Sequence, residues 1–74
     1  MNELIELLSK LHDDVDYESH ERLIDDKVLN SFDLVVLITM ISDTFGVVIE
    51  PEDVVPERFN SAKSIWALIE ELEG

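Results

Sequence analysis

Apolar residues recur at helical spacing in three stretches of the chain. Leu4, Leu7, Leu8 and Leu11 form a stripe over residues 3–12, with Glu3, Glu6 and Lys10 on the polar side and Val15 as a candidate extension. Asn2 is a candidate N-cap for this helix. The pattern is strongest over residues 31–45. There Leu34, Leu37, Ile38, Ile41 and Phe45 share one face, while Phe32, Val36, Thr39 and Asp43 share the other. The rival reading is a buried strand through Leu34–Ile41. Its length, the stripe and Gly46, a natural helix stop, favour the helix. Residues 61–73 give the third stripe, through Ala62, Ile65, Trp66, Ile69 and Leu72, with Ser61 or Asn60 as the cap.

The segments between these stripes differ in kind. Residues 13–30 form a long connection, opened by the acidic run Asp13-Asp14-Val15-Asp16-Tyr17-Glu18. Leu23, Ile24, Val28 and Leu29 are the residues expected to pin it to the bundle, and a helical turn near Ser19–Leu23 is compatible with its composition. A connection this long in a compact domain is often functional. Val47-Val48-Ile49 is a short apolar connector. Pro51 suits the first position of a short helix over Glu52–Val55, which Pro56 would end. The sum is a single all-α domain over residues 1–74, with three longer helices and one short one.

Composition narrows the function classes. At 74 residues the core is thin, since a domain near this size buries only about 60% of its unfolded surface. A deep cleft with several converging polar groups is hard to build on it. No paired acid and base, nucleophile triad or phosphate loop is visible, so an enzyme is not expected. The chain has no cysteine, so any thiol it uses must come from a cofactor. No apolar run approaches the ~20 residues that cross a bilayer, and the basic start of a signal peptide is missing. The expectation is a cytoplasmic protein, not inserted in a membrane. The charge, 18 acidic against 5 basic residues and −13 net, repels nucleic acid and favours partners with basic patches. A monomer is expected, and self-repulsion of this size should lower its stability.

Ser31 is the residue that changes the picture. It lies where a buried-looking connection meets the start of the strongest helix. Unpaired backbone N–H groups and the helix dipole favour a phosphate attached there. The plainer reading is that Ser31 is an ordinary N-cap, a role Asn30 could share.

The stretch Asp26-Lys27-Val28-Leu29-Asn30-Ser31-Phe32-Asp33-Leu34 resembles the prosthetic-group site of acyl carrier proteins, where Asp-Ser-Leu or Asp-Ser-Phe opens the second helix. Phe45-Gly46, Ile49-Glu50-Pro51-Glu52-Asp53 and Phe59-Asn60-Ser61 extend the similarity over nearly the whole chain, in order. The Leu-x-Ser-Phe form and Val55-Pro56-Glu57-Arg58-Phe59-Asn60-Ser61 look closest to D-alanyl carriers and related aminoacyl carriers. The resemblance implies an acyl-carrier-protein-like four-helix bundle with a long first loop. It implies a phosphopantetheine arm, taken from coenzyme A and attached to Ser31, whose thiol carries cargo as a thioester. The implied partners are a phosphopantetheinyl transferase, an acyl- or aminoacyl-loading ligase and a downstream acyl or aminoacyl transferase.

Two positions depart from the family pattern. Asn30 stands where the residue before the serine is usually acidic, and the outer face of the second helix shows Phe32, Val36 and Thr39 with acids only at Asp33 and Asp43. The face Phe32, Asp33, Val36, Thr39, Met40 and Asp43 is therefore the expected docking surface beside the arm. The alternative from another class is an acidic helical protein-interaction module without a prosthetic group.

The remaining candidates carry less. Asp14-Val15-Asp16-Tyr17-Glu18 has calcium-loop character, but Ser19 stands where an EF-hand needs glycine, and no metal site is expected. His12 and His20 have no ligand spacing and read as surface histidines. Trp66 reads as core, and Glu70-Glu71-Leu72-Glu73 as a solvated face.

Overall fold

The computed structural model describes residues 2–74. Four helices follow in order: α1 (Asn2–Leu11), α2 (Ser31–Phe45), α3 (Pro56–Phe59) and α4 (Ala62–Glu73), with a 3₁₀ turn at Pro51–Asp53. No strand forms among the described residues. Helix α1 packs on α2 and α4, and α3 packs on α4. The small all-helical bundle expected from the apolar stripes is thus observed.

The core follows the stripes closely. Leu4, Leu7 and Leu8 from α1, Leu37 and Ile41 from α2, and Ala62, Ile65, Leu68 and Ile69 from α4 are buried. Phe59 of α3 closes one end and is fully buried. Leu34, Ile38, Phe45, Trp66 and Leu72 pack against this core from its margin. Phe45 and Trp66 meet edge to face, with ring centroids 5.6 Å apart.

Helix ends show where local chemistry decided the boundaries. Helix α2 spans the residues its pattern predicts and stops at Gly46, whose φ of 67° is the left-handed geometry that favours glycine. Asn2 lies inside α1 and does not cap it. The two prolines act differently from the expectation. The turn begun by Pro51 ends at Asp53, and Pro56 opens α3 instead of closing a helix. A missing N–H costs nothing at a first helical position, so both prolines start a turn and neither stops one.

The 13–30 connection is pinned at three points. Leu23 and Leu29 are buried, as expected, whereas Ile24 and Val28 are only half-buried. Tyr17, placed by sequence within an acidic run, is the third buried anchor, 3% exposed. Its hydroxyl lies 3.0 Å from the Leu8 carbonyl and 2.7 Å from the His12 carbonyl, and donates to these acceptors at the end of α1. The Leu8 carbonyl also accepts from the His12 N–H at 3.1 Å, so the hydroxyl mainly serves the His12 carbonyl, which the helix end leaves without a backbone donor. Burial, then the nearby charges of Asp14 and Asp33, push the Tyr17 phenol above its usual range. Lys27 takes a φ of 60°, a left-handed conformation unusual for a side chain with a Cβ.

Candidate functional site at the start of helix α2

The chain enters α2 through Leu29, which is buried, and leaves Asn30 exposed as the N-cap. Asn30 Oδ1 accepts from the Asp33 backbone N–H at 2.8 Å, and Asp33 Oδ2 accepts from the Asn30 N–H at 3.3 Å. This reciprocal capping box satisfies two backbone donors at once. Of the two roles open for Asn30 and Ser31, the cap falls to Asn30. Ser31 becomes the first helical residue.

That assignment has a chemical consequence. Ser31 is exposed, and none of the side-chain hydrogen bonds among the described residues uses its hydroxyl. The backbone N–H groups of Ser31 and Phe32 precede the first intrahelical bond, which Leu34 N–H makes to the Asn30 carbonyl at 3.0 Å. They point along the dipole's positive end. An exposed hydroxyl next to two free donors suits a singly charged phosphodiester attached at that oxygen.

Asp33 sets the electrostatics next to it. Its carboxylate, 14% exposed, receives a second hydrogen bond from His12 Nε2 at 2.8 Å. A carboxylate only accepts, so the ring nitrogen donates. The His12 hydrogen bond is the largest cause that holds the Asp33 carboxyl below the usual carboxylate range. Burial opposes it, and the Asn30 N–H adds to it. This pair ties the end of α1 to the start of α2. His12 and Asp33 are 21 positions apart, and neither spacing nor periodicity marks them as neighbours.

The expected docking face is placed unevenly. Phe32 is 75% exposed, and Thr39 and Asp43 are exposed further along α2. Val36 is half-buried, while its neighbour Val35 is the valine in solvent, at 63%. Met40 packs against the core, and Asp33 is engaged by His12 and Asn30. The exposed strip beside Ser31 is therefore Phe32, Val35, Thr39 and Asp43. Thr39 sits one turn after Val35, and its hydroxyl donates to the Val35 carbonyl at 3.0 Å. Among the described residues, no group of three or more His, Asp or Glu side chains could hold a metal ion.

Compared with known proteins, the chain matches no family model, no curated protein and no solved structure.

Proposed function

We propose that this protein is a carrier whose Ser31 hydroxyl accepts a phosphopantetheine arm and holds a small acyl or aminoacyl cargo for partner enzymes. The observation that carries the reading is the state of Ser31. It is exposed, its hydroxyl is unengaged, and two backbone donors stand beside it because Asn30 has taken the cap. The order of long helix, long connection, long helix, short helix and long helix supports it, being that of acyl carrier proteins. When bound, the arm supplies a thiol that this cysteine-free chain lacks.

The chain's own residues would act around that attachment. The Ser31 and Phe32 amides would face the phosphate, and Leu29 would hold the entry strand down. Phe32, Val35, Thr39 and Asp43 would present a mixed apolar and acidic strip to a phosphopantetheinyl transferase, a loading ligase and a downstream transferase. Val36 would lie at its edge. The filled core favours a small cargo. Leu37, Ile41, Ile65 and Ile69 are fully buried, and the rings of Phe45 and Trp66 meet at the core margin. Opening a channel there would disrupt packing at a typical cost of about 1–3 kcal/mol.

The test is intact mass after incubation with coenzyme A, Mg²⁺ and a broad-specificity phosphopantetheinyl transferase. One arm should be added to the wild-type chain and none to Ser31→Ala. A second reading, an interaction module without an arm, is favoured by the exposed Phe32 and Val35. It would replace the first if the wild-type chain stayed unmodified.

A further inference from the structure

The segment that follows α1 reaches the start of α2 through His12. Asp33 stands two residues beyond Ser31, at the third helical position, with a carboxylate that would repel an anion bound at the first two amides. Two donors fix that carboxylate's position, the His12 ring at 2.8 Å and the Asn30 backbone N–H at 3.3 Å from its Oδ2, while the Asp33 N–H in turn donates to Asn30 Oδ1. His12 is thus the one titratable side chain hydrogen-bonded to the capping box among the described residues. An imidazole ordinarily exchanges its proton between pH 5 and 8, and with the second proton it places a positive charge in direct contact with Asp33.

We propose that His12 is a positioning residue for the Ser31 site. It turns the Asp33 carboxylate onto the capping box, and the proton on its ring sets the net charge that an anion at Ser31 meets. With the ring neutral, Nε2 donates and Asp33 keeps its full negative charge. With the ring protonated, the pair is neutral overall, and the amides of Ser31 and Phe32 face an anion without opposition from this pair. The neighbouring charges bias the corner but do not replace this exchange. Asp13 and Asp14 follow His12 in sequence, and their charges reach the Tyr17 phenol, as does that of Asp33. The Tyr17 hydroxyl donates to the His12 carbonyl and so fixes the backbone that bears the ring. Helix α4 also packs on α1. Its charged side chains Lys63, Glu70, Glu71 and Glu73 make no hydrogen bond or ion pair to His12 among the described residues, and Glu71 is taken by Arg58.

The experiment is an NMR titration of the full chain from pH 8.5 to 5, following the Ser31 and Phe32 amides with the His12 and His20 ring signals. In the wild type the two amides should move in step with the His12 ring. His12→Gln retains a donor but no proton exchange, and should flatten both curves. His20→Gln should leave them intact. Amides that stay flat in the wild type, or that still titrate in His12→Gln, would overturn the proposal. The consequence for loading rests on the carrier reading. There the wild-type rate of arm attachment, divided by that of His12→Gln at each pH, should rise by about fivefold as the ring gains its proton, the ratio that ~1 kcal/mol of coupling produces. A constant ratio would count against His12. A wild-type chain that takes no arm at any pH would sink the carrier reading instead, and the amide titration would still decide the role of His12.

Discussion

The dipeptide Asn-Ser opens two helices in this protein, and its two copies do opposite things. At α2, Asn30 is the cap and Ser31 the first helical residue. At α4, Ser61 is the cap: its Oγ accepts from the Ser64 N–H at 3.0 Å, and its hydroxyl sits 2.9 Å from Ser64 Oγ. Asn60 is thereby released for another task. Its Oδ1 accepts from the Ile24 and Asp25 N–H groups at 2.9 and 3.1 Å, its Nδ2 donates to Asp25, and its carbonyl accepts from Leu23. The helix frame shifts by one residue between the copies, and this shift decides which side chain is consumed by structure. One serine is spent on a cap, whereas the other keeps an exposed hydroxyl that no side-chain hydrogen bond uses. One asparagine staples the long connection across 36 positions, and the other only closes its own helix.

The largest effect expected from breaking this comparison is at the staple. Asn60→Ala strands two backbone N–H groups and frees the 13–30 connection, and should cost about 2 kcal/mol in urea unfolding. The two caps come next. Asn30→Ala and Ser61→Ala should each cost about 1 kcal/mol, with helix α2 or α4 fraying first by amide exchange. Ser31→Ala should change stability by less than about 0.5 kcal/mol, because its hydroxyl supports nothing. Equal losses in Ser31→Ala and Ser61→Ala would erase the distinction between the copies.

The smallest effect is electrostatic and sharpens the difference between the two helix starts. The Asp33 carboxyl is held below its ordinary range in the fold, so it contributes stability above that range. The contribution is lost as pH falls through its folded value. In His12→Ala the carboxyl moves back up toward its unfolded value, so this contribution is missing near neutrality and the acid-side fall in stability should be shallower. The difference near neutrality should stay below about 1 kcal/mol for a partly exposed pair. Identical acid limbs in the two proteins would show that the pair has no thermodynamic role.

The helices were legible because their stripes are long and their stops local. Helix α2 is bounded by a capping residue and a glycine, and its range follows from the sequence. The facing of that helix was less legible. Leu34-Val35-Val36-Leu37-Ile38 is apolar throughout, with no polar residue to mark the outer side. The expected exposed valine, Val36, therefore exchanged places with Val35. The buried Leu68 is unmarked for a similar reason, since it lies beside Ile65, Trp66 and Ile69 in a stretch rich in apolar choices. Tyr17 was hidden by its acidic neighbours, although a phenol can bury its ring while its hydroxyl reaches a carbonyl. The position of Ser31 was legible as a helix start. Its freedom from the cap depended on whether Asn30 or Ser31 took that role, a choice that two good capping residues leave open. The His12–Asp33 pair depends on how α1 meets α2, which no local pattern encodes.

Tyr17 and Trp66 are the chain's one phenol and one indole, and the fold has put them in different places. Tyr17 joins the connection to the end of α1, and Trp66 lies against Phe45 between α2 and α4. The protein thus carries two built-in optical reporters, one for the docked connection and one for the helical bundle. If the domain melts as a single cooperative unit, the ultraviolet signal of the phenol and the emission of the indole trace one curve. If the connection peels away while the helices persist, the phenol signal leads, and the gap between the curves gives the free energy that holds this segment in place.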